Sequence, residues 1–264
     1  PATATPQWGA QFSKSHAVWL GIDWRQAYTE LLDDVGVQRL RIGAYWPEIE
    51  PMDGVRQFED LDWIMDEAAV RGATVILAVG RRLPRWPECH VPEWARALPE
   101  DVQQERVSAL VRDVVTRYRS HPAIAMWQVE NEPFLTLFGE CTPMDPTVFQ
   151  RTIDLVRSLD ADHPILITDS GELSTWMRTA AAGDYLGTTM YRVVWNRLVG
   201  YWSYDVLIPP AFYRLKAWLA GKPAARMMVA ELQAEPWIPN GDIFSTSLDE
   251  QRKSMDAERF RRHA

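Results

Sequence analysis

The feature that most constrains this chain is an alternation. Short, nearly continuous apolar runs are each followed by a segment with helical periodicity. VWLGID (18–23) leads into WRQAYTELLDDVG, where Ala27, Leu31 and Leu32 follow helical spacing and Gly36 closes the pattern. The unit returns as VQRLRIGAYW (37–46) with LDWIMDEAAVRG, and again as ATVILAVG (73–80) with EDVQQERVSALVRDVVTRYRS. AIAMWQVE (123–130), PILIT (164–168), DYLGTTMY (184–191) and ARMMVAE (225–231) bring the count to seven strands.

Apolar strands alternating with helices predict a parallel sheet covered on both faces, either doubly wound or closed into a barrel. No GxGxxG follows the first run, so the nucleotide-binding open sheet loses its best evidence. The expected fold is α/β, a (β/α)8 TIM barrel lacking the eighth strand in this chain, because the terminal LDEQRKSMDAERFRRHA reads as a charged helix. The expected organisation is one catalytic barrel domain over residues 1–264, incomplete at its C-terminal end.

Composition narrows the function. A formal charge of -8 argues against nucleic acid as a partner, since phosphate binding needs clustered Lys and Arg. No apolar run approaches the roughly 20 residues of a membrane span, and PATATPQWG has neither the basic nor the apolar region of a signal peptide. Two Cys and five scattered His offer no metal cluster, and no cofactor is expected. Thirteen Trp are many for this length, and Trp serves either as core bulk or as a flat platform for ligands such as sugars.

In a (β/α)8 barrel the chemistry sits at the C-terminal ends of the strands. Polar residues gather there: Asp23, Arg41, Tyr45, Trp46, Glu48, Arg81, Arg82, Glu130, Asn131, Glu132, Asp169, Glu172, Tyr191, Arg192 and Glu231. Several have plain structural readings. Asp23 suits a helix N-cap, Glu48 and Glu50 solvated loop charges, and Glu172 a turn or helix start. Arg81 and Arg82 are equally suited to pairing with carboxylates and to binding substrate. Together with Arg85 and Arg192 they point weakly to an acidic sugar.

Glu132 and Glu231 resist such readings, because each ends an apolar strand and neither opens a solvated loop. Paired carboxylates in different environments are what glycoside hydrolysis needs, about 5 Å apart in a retaining enzyme. One is held protonated for the leaving oxygen and the other ionised to attack the anomeric carbon. Burial and the neighbouring carboxylate are expected to raise the pKa of the acid. Glu130 lies two residues before Glu132, so strand alternation turns both to one side. Alternation alone leaves both open as the acid, while Glu235, beyond the strand beside Pro236, reads as a subsite or structural carboxylate.

The run VENEP resembles the Asn-Glu-Pro signature of clan A glycoside hydrolases, particularly the cellulase-like family five, and VAELQAEPW supplies a matching Glu at strand seven. LRIGAYWPEIEP with FEDLDWIMDEAAVRGATVIL is similar to the second-strand segment of the same enzymes. The resemblance spans Val18 to Trp237. It implies a TIM barrel hydrolysing a β-linked oligo- or polysaccharide with retention, Glu132 as acid/base and Glu231 as nucleophile. It further implies Arg41 steadying the nucleophile, Asn131 on the sugar 2-hydroxyl, and Tyr191 bonded to Glu231. Trp46, Trp86, Trp195, Trp237 and Arg81 complete the expected substrate-binding set.

The family-five histidines near strands three and six are absent, where this chain reads VGRRLP and TTMYRV, and RLPRWPECHVPEW looks more like a galactosidase loop. A catalytically inactive glycan-binding barrel is therefore the alternative. An aldolase-type barrel would need a strand-end lysine, which Lys14, Lys216, Lys222 and Lys253 do not supply. Cys89 and Cys141 fall in loops after strands three and four, neighbours in a barrel, so a disulfide is expected over two free thiols. A disulfide favours an exported protein.

Overall fold

The computed structural model describes residues 6–263 apart from residues 138, 143, 206 and 240. The chain divides into two compact units, Pro1–Leu166 and Ile167–Ala264.

The first unit contains β1 (Ala10–Phe12), α1 (Lys14–Trp19), α2 (Trp24–Asp33), β2 (Arg39–Gly43), α3 (Trp46–Ile49), α4 (Glu59–Val70), β3 (Thr74–Val79), α5 (Glu100–Tyr118), β4 (Ile124–Val129), α6 (Pro146–Leu159) and the start of β5 (Ile165–Asp169). Strands β1 to β5 pair in chain order, all parallel. Parallel neighbours need a crossover between them, and the helices provide it. Leu40, Ile42, Val75, Leu77, Val79, Trp127 and Val129 are buried on these strands, and Val107, Leu110, Val111, Val114, Val115 and Tyr118 form the buried stripe of α5. Each fully buried aliphatic side chain contributes about 1.5–3 kcal/mol.

The second unit begins within β5 and holds β6 (Tyr185–Met190), β7 (Val193–Asn196), β8 (Gly200–Ser203), α7 (Pro210–Leu219), β9 (Met227–Leu232), α8 (Leu248–Arg252) and α9 (Ala257–His263). The strand order continues β5-β6-β9, with β6 and β9 parallel, while β7 and β8 make a separate antiparallel hairpin. Trp176, Leu186, Tyr213 and Ala217 form a buried cluster beneath α7. Seven strands joined by helices in this manner are a partial (β/α)8 barrel.

Three sequence expectations are corrected. The run 18–23 is not the first strand: Val18, Trp19 and Ile22 are exposed, Ser13 caps α1, and the strand is Ala10–Phe12. A short apolar run does not separate strand from helix by periodicity alone. The C-terminal segment is two short helices, with buried Ser254 between them, its Oγ accepting from the Trp237 N–H at 2.8 Å. The β7–β8 hairpin was not anticipated. Its turn is held by the Asn196 side chain, which accepts from the N–H groups of Leu198 and Val199 at 3.0 Å each. Asp23 does cap α2, accepting from Arg25 and Gln26.

Candidate active site

In the first unit the polar residues converge where β4 ends. Strand β4 stops at Val129, and Glu130 and Glu132 both take positive φ, 57° and 44°. Left-handed backbone on bulky residues costs of order 1 kcal/mol or more each and clusters at functional sites. It also breaks the strand alternation from which Glu130 and Glu132 were expected to face one way.

The Glu130 carboxylate accepts from the backbone N–H groups of Arg81 at 3.0 Å and Arg82 at 2.6 Å, just past the end of β3. Its place is structural, since it ties two strand ends together. Full burial pushes its pKa up to about 7, against the pull of those two donors and of the Arg81 and Arg82 charges. Glu132 is 5% exposed, and its carbonyl accepts from the Leu135 N–H at 3.0 Å.

Asn131 is fully buried between these glutamates. Its Oδ1 accepts from Arg41 Nη2 at 2.7 Å and Gln128 Nε2 at 3.3 Å. These donors fix the amide with its oxygen toward Arg41, leaving the Nδ2 group as the donor on the other side. Arg41 is held in turn by Gln128 Oε1 at 2.6 Å and Gln11 Oε1 at 2.7 Å. Gln128 was missed in the sequence, where it reads as a strand residue.

In the second unit, Glu231 lies near the end of β9, half-buried, and the Tyr191 hydroxyl donates to its Oε2 at 3.0 Å. The Tyr191 ring meets Trp237 edge to face, with centroids 5.3 Å apart. Glu172, expected as a turn carboxylate, instead accepts from Tyr213 Oη at 2.6 Å, the Tyr191 N–H at 3.0 Å and Thr189 Oγ1 at 3.2 Å. Burial raises its pKa above the usual carboxylate range. Glu235 is exposed beyond the strand.

Several expected substrate contacts are engaged otherwise. Trp46 is fully buried and donates to Glu50 Oε2 at 2.7 Å, so it is core and not a platform. Glu50 is itself buried, not solvated. Arg81 is buried against Glu100 and Gln103, which sets its guanidinium to hold α5. Arg82 pairs with Glu88 and donates to the Leu135 carbonyl, and Arg192 pairs with Asp205. These pairings engage three of the four arginines that pointed to an acidic sugar. Trp86 is 65% exposed on the loop after β3, and Trp195 is half-buried on β7. Glu48 is half-buried, 3.6 Å from Lys14, in a cavity of about 280 Å³ at the ends of β1 and β2 that includes neither Glu132 nor Glu231.

Cys89 and Cys141 form a disulfide, Cα atoms 4.9 Å apart, joining the loops after β3 and β4. Among the described residues no helix is long and apolar enough to cross a membrane.

The parallel strand-and-helix fold is that of a TIM barrel domain of the glycoside hydrolases. Residues 30–197 match the model of the glycosyl hydrolases family 2 TIM barrel domain, and the chain belongs to that family. The likeness to family five is thus not specific. Among curated proteins the chain is 30% identical over 123 residues to the β-galactosidase BgaB of Geobacillus sp. (strain Y412MC61), covering 39% of this chain and 18% of that protein. It is 31% identical over 134 residues to the β-galactosidase GanA of Bacillus subtilis (strain 168), covering 41% and 20%. The matched stretch is about a fifth of each relative's length. Solved structures of similar fold include a β-galactosidase from Halorubrum lacusprofundi, with TM-score 0.62, 17% identity and coverage of 89% of this chain and 48% of that one. GH5_18 from Streptomyces cattleya in complex with GlcNAc gives 0.56 and 15%, covering 71% and 51%.

Proposed function

We propose that this protein hydrolyses β-glycosides with retention, and that β-galactosides are its substrate class. Glu231 attacks the anomeric carbon while Glu132 gives its proton to the leaving oxygen, producing a glycosyl ester on Glu231. Glu132 then takes a proton from water, whose oxygen attacks the same carbon and frees Glu231. Asn131, its amide turned by Arg41 and Gln128, donates to the sugar 2-hydroxyl. Arg41 steadies the nucleophile, and Trp86, Trp195 and Trp237 offer rings to the sugar.

The observation that carries this reading is the hydrogen bond from Tyr191 to Glu231. A donor on one carboxylate oxygen holds the group in a single orientation, as a nucleophile aimed at one carbon requires. The galactoside preference rests on the curated relatives, each named a β-galactosidase. The disulfide supports an extracytoplasmic location.

Glu132→Ala tests the acid/base role. Loss of general acid catalysis is expected to slow alkyl galactosides by roughly 10²–10⁴-fold while sparing glycosylation by dinitrophenyl galactoside, with azide yielding the β-glycosyl azide. Equal slowing on both leaving groups, with no azide product, contradicts the assignment.

A further inference from the structure

Within the second unit, the turn after β5 is built with unusual precision for a loop. Lys216 on α7 donates to the Gly171 carbonyl at 2.7 Å and the Ser170 carbonyl at 3.3 Å, with its ammonium 4.1 Å from the Trp176 ring centroid. The Trp176 indole N–H donates to the same Ser170 carbonyl at 2.8 Å, and the Gly171 N–H donates to Thr189 Oγ1 at 3.0 Å. A Cβ on Gly171 would stand 2.1 Å from the Thr189 carbonyl oxygen, so only glycine fits this close against β6. A turn clamped at each backbone group presents its next residue, Glu172, in one position.

What Glu172 does there follows from its partners. Its Oε1 takes the Tyr213 hydroxyl at 2.6 Å and the Tyr191 N–H at 3.0 Å, and its Oε2 takes Thr189 Oγ1 at 3.2 Å. Tyr191 follows directly after β6, where the strand ladder no longer holds its backbone, and the phenol of the same residue donates to Glu231 at 3.0 Å. Other charged or titratable groups facing this network are Lys216 and Asp169, with Tyr204 and Arg192. One route from Glu172 to Glu231 runs through Tyr191, by its backbone on one side and its side chain on the other, and a second through Thr189, whose hydroxyl donates to Glu172 and which stands in register with Glu231 across β6 and β9.

We infer that Glu172 is a positioning residue for the nucleophile. It pins the Tyr191 main chain so that the Tyr191 hydroxyl stays on Glu231. This rests on the reading of Glu231 as nucleophile. The Glu172 acceptors are taken by two hydroxyls and one backbone N–H, a set that fixes the direction of the carboxylate.

The test is a double-mutant cycle on kcat and KM, using Glu172→Ala, Tyr191→Phe and the pair. Each single change is expected to lower kcat by roughly 10-fold or more with KM little changed, since Glu231 loses the donor that holds its carboxylate in place. The pair should be no slower than the worse single variant. Glu172→Gln, which keeps an oxygen for Tyr191 and Tyr213, should restore most of kcat. If Glu172→Ala does not fold, Glu172→Asp, with its carboxylate drawn back by one methylene, takes its place in the cycle. Fold losses that multiply in the pair, or a kcat that falls with Tyr191→Phe but not with the position 172 variants, overturn the inference and leave Glu231 as nucleophile untouched. A Glu172 variant that lowers Tm with kcat unchanged overturns it as well. An unchanged kcat in Tyr191→Phe, with no covalent labelling of Glu231, overturns both readings.

Discussion

A Cβ on Gly80 would lie 2.3 Å from Oε1 of Glu130, so the Glu130 carboxylate fills the space any side chain at position 80 would need. Gly80 also holds φ at +134°, a region costly for other residues. Gly80→Ala is therefore expected to lower the unfolding free energy by about 2–5 kcal/mol, overpacking and backbone strain combined. Urea unfolding measures it, and a loss below about 1 kcal/mol would show that the Glu130 carboxylate can leave without consequence.

Glu130 itself gives a pH-dependent prediction. Its carboxyl titrates near 7 in the folded chain, above the ordinary 4.5, so the folded state holds this proton longer. The group's contribution is full below pH 4.5 and falls as pH rises toward 7. Glu130→Gln keeps one acceptor for two N–H donors and is expected to cost about 1–3 kcal/mol. The gap between the native protein and the variant should be widest near pH 4.5 and should narrow toward pH 7. A gap that widens with pH contradicts the raised pKa.

His90 works in the opposite direction. Burial lowers its pKa to about 4, and its ring packs on Tyr45 with centroids 4.4 Å apart. The unfolded chain takes up a proton near 6.5 and the folded chain resists it, so stability is lost as pH falls from 6.5 to 4, up to on the order of 3 kcal/mol. His90→Phe should flatten that part of the acid-stability curve. An unchanged slope would mean that His90 protonates without disturbing the fold.

The disulfide closes 52 residues of sequence separation. Chain-entropy arguments put its stabilisation at up to about 4 kcal/mol. Replacing Cys89 and Cys141 by Ser is expected to lower Tm by several degrees and to make the loop of Trp86, between the bridge and Arg82, accessible to protease. Equal protease resistance in both forms would show that the loop's hydrogen bonds and the Arg82–Glu88 pair hold it without the bridge.

The repeated strand-helix alternation was legible because buried parallel strands must be apolar throughout, and six of seven strands fell where the pattern put them. The seventh failed at residues 18–23, where apolar side chains are exposed and the chain is helical up to Trp19. Glu132, Asn131 and Glu231 stood out because polar groups at the ends of apolar strands need a reason. Gln128, Gly80 and Glu172 did not, since their roles arise from partners 19 to 87 residues away in sequence: Tyr191 for Glu172, Glu130 for Gly80 and Arg41 for Gln128. Trp46 and Arg81 were misjudged for a related reason. A strand-end position does not say whether a side chain turns to the mouth or to the helix layer, and Glu50 and Glu100 draw these two away.

The central claim is a covalent intermediate on Glu231. Treating the protein with an activated 2-deoxy-2-fluoro-β-galactoside and mapping the adduct by mass spectrometry tests it most directly. One glycosyl group is expected, on the peptide that carries Glu231, formed as activity is lost. Hydrolysis of β-galactosides with inversion, or an adduct on another carboxylate such as Glu172 or Glu235, would contradict it.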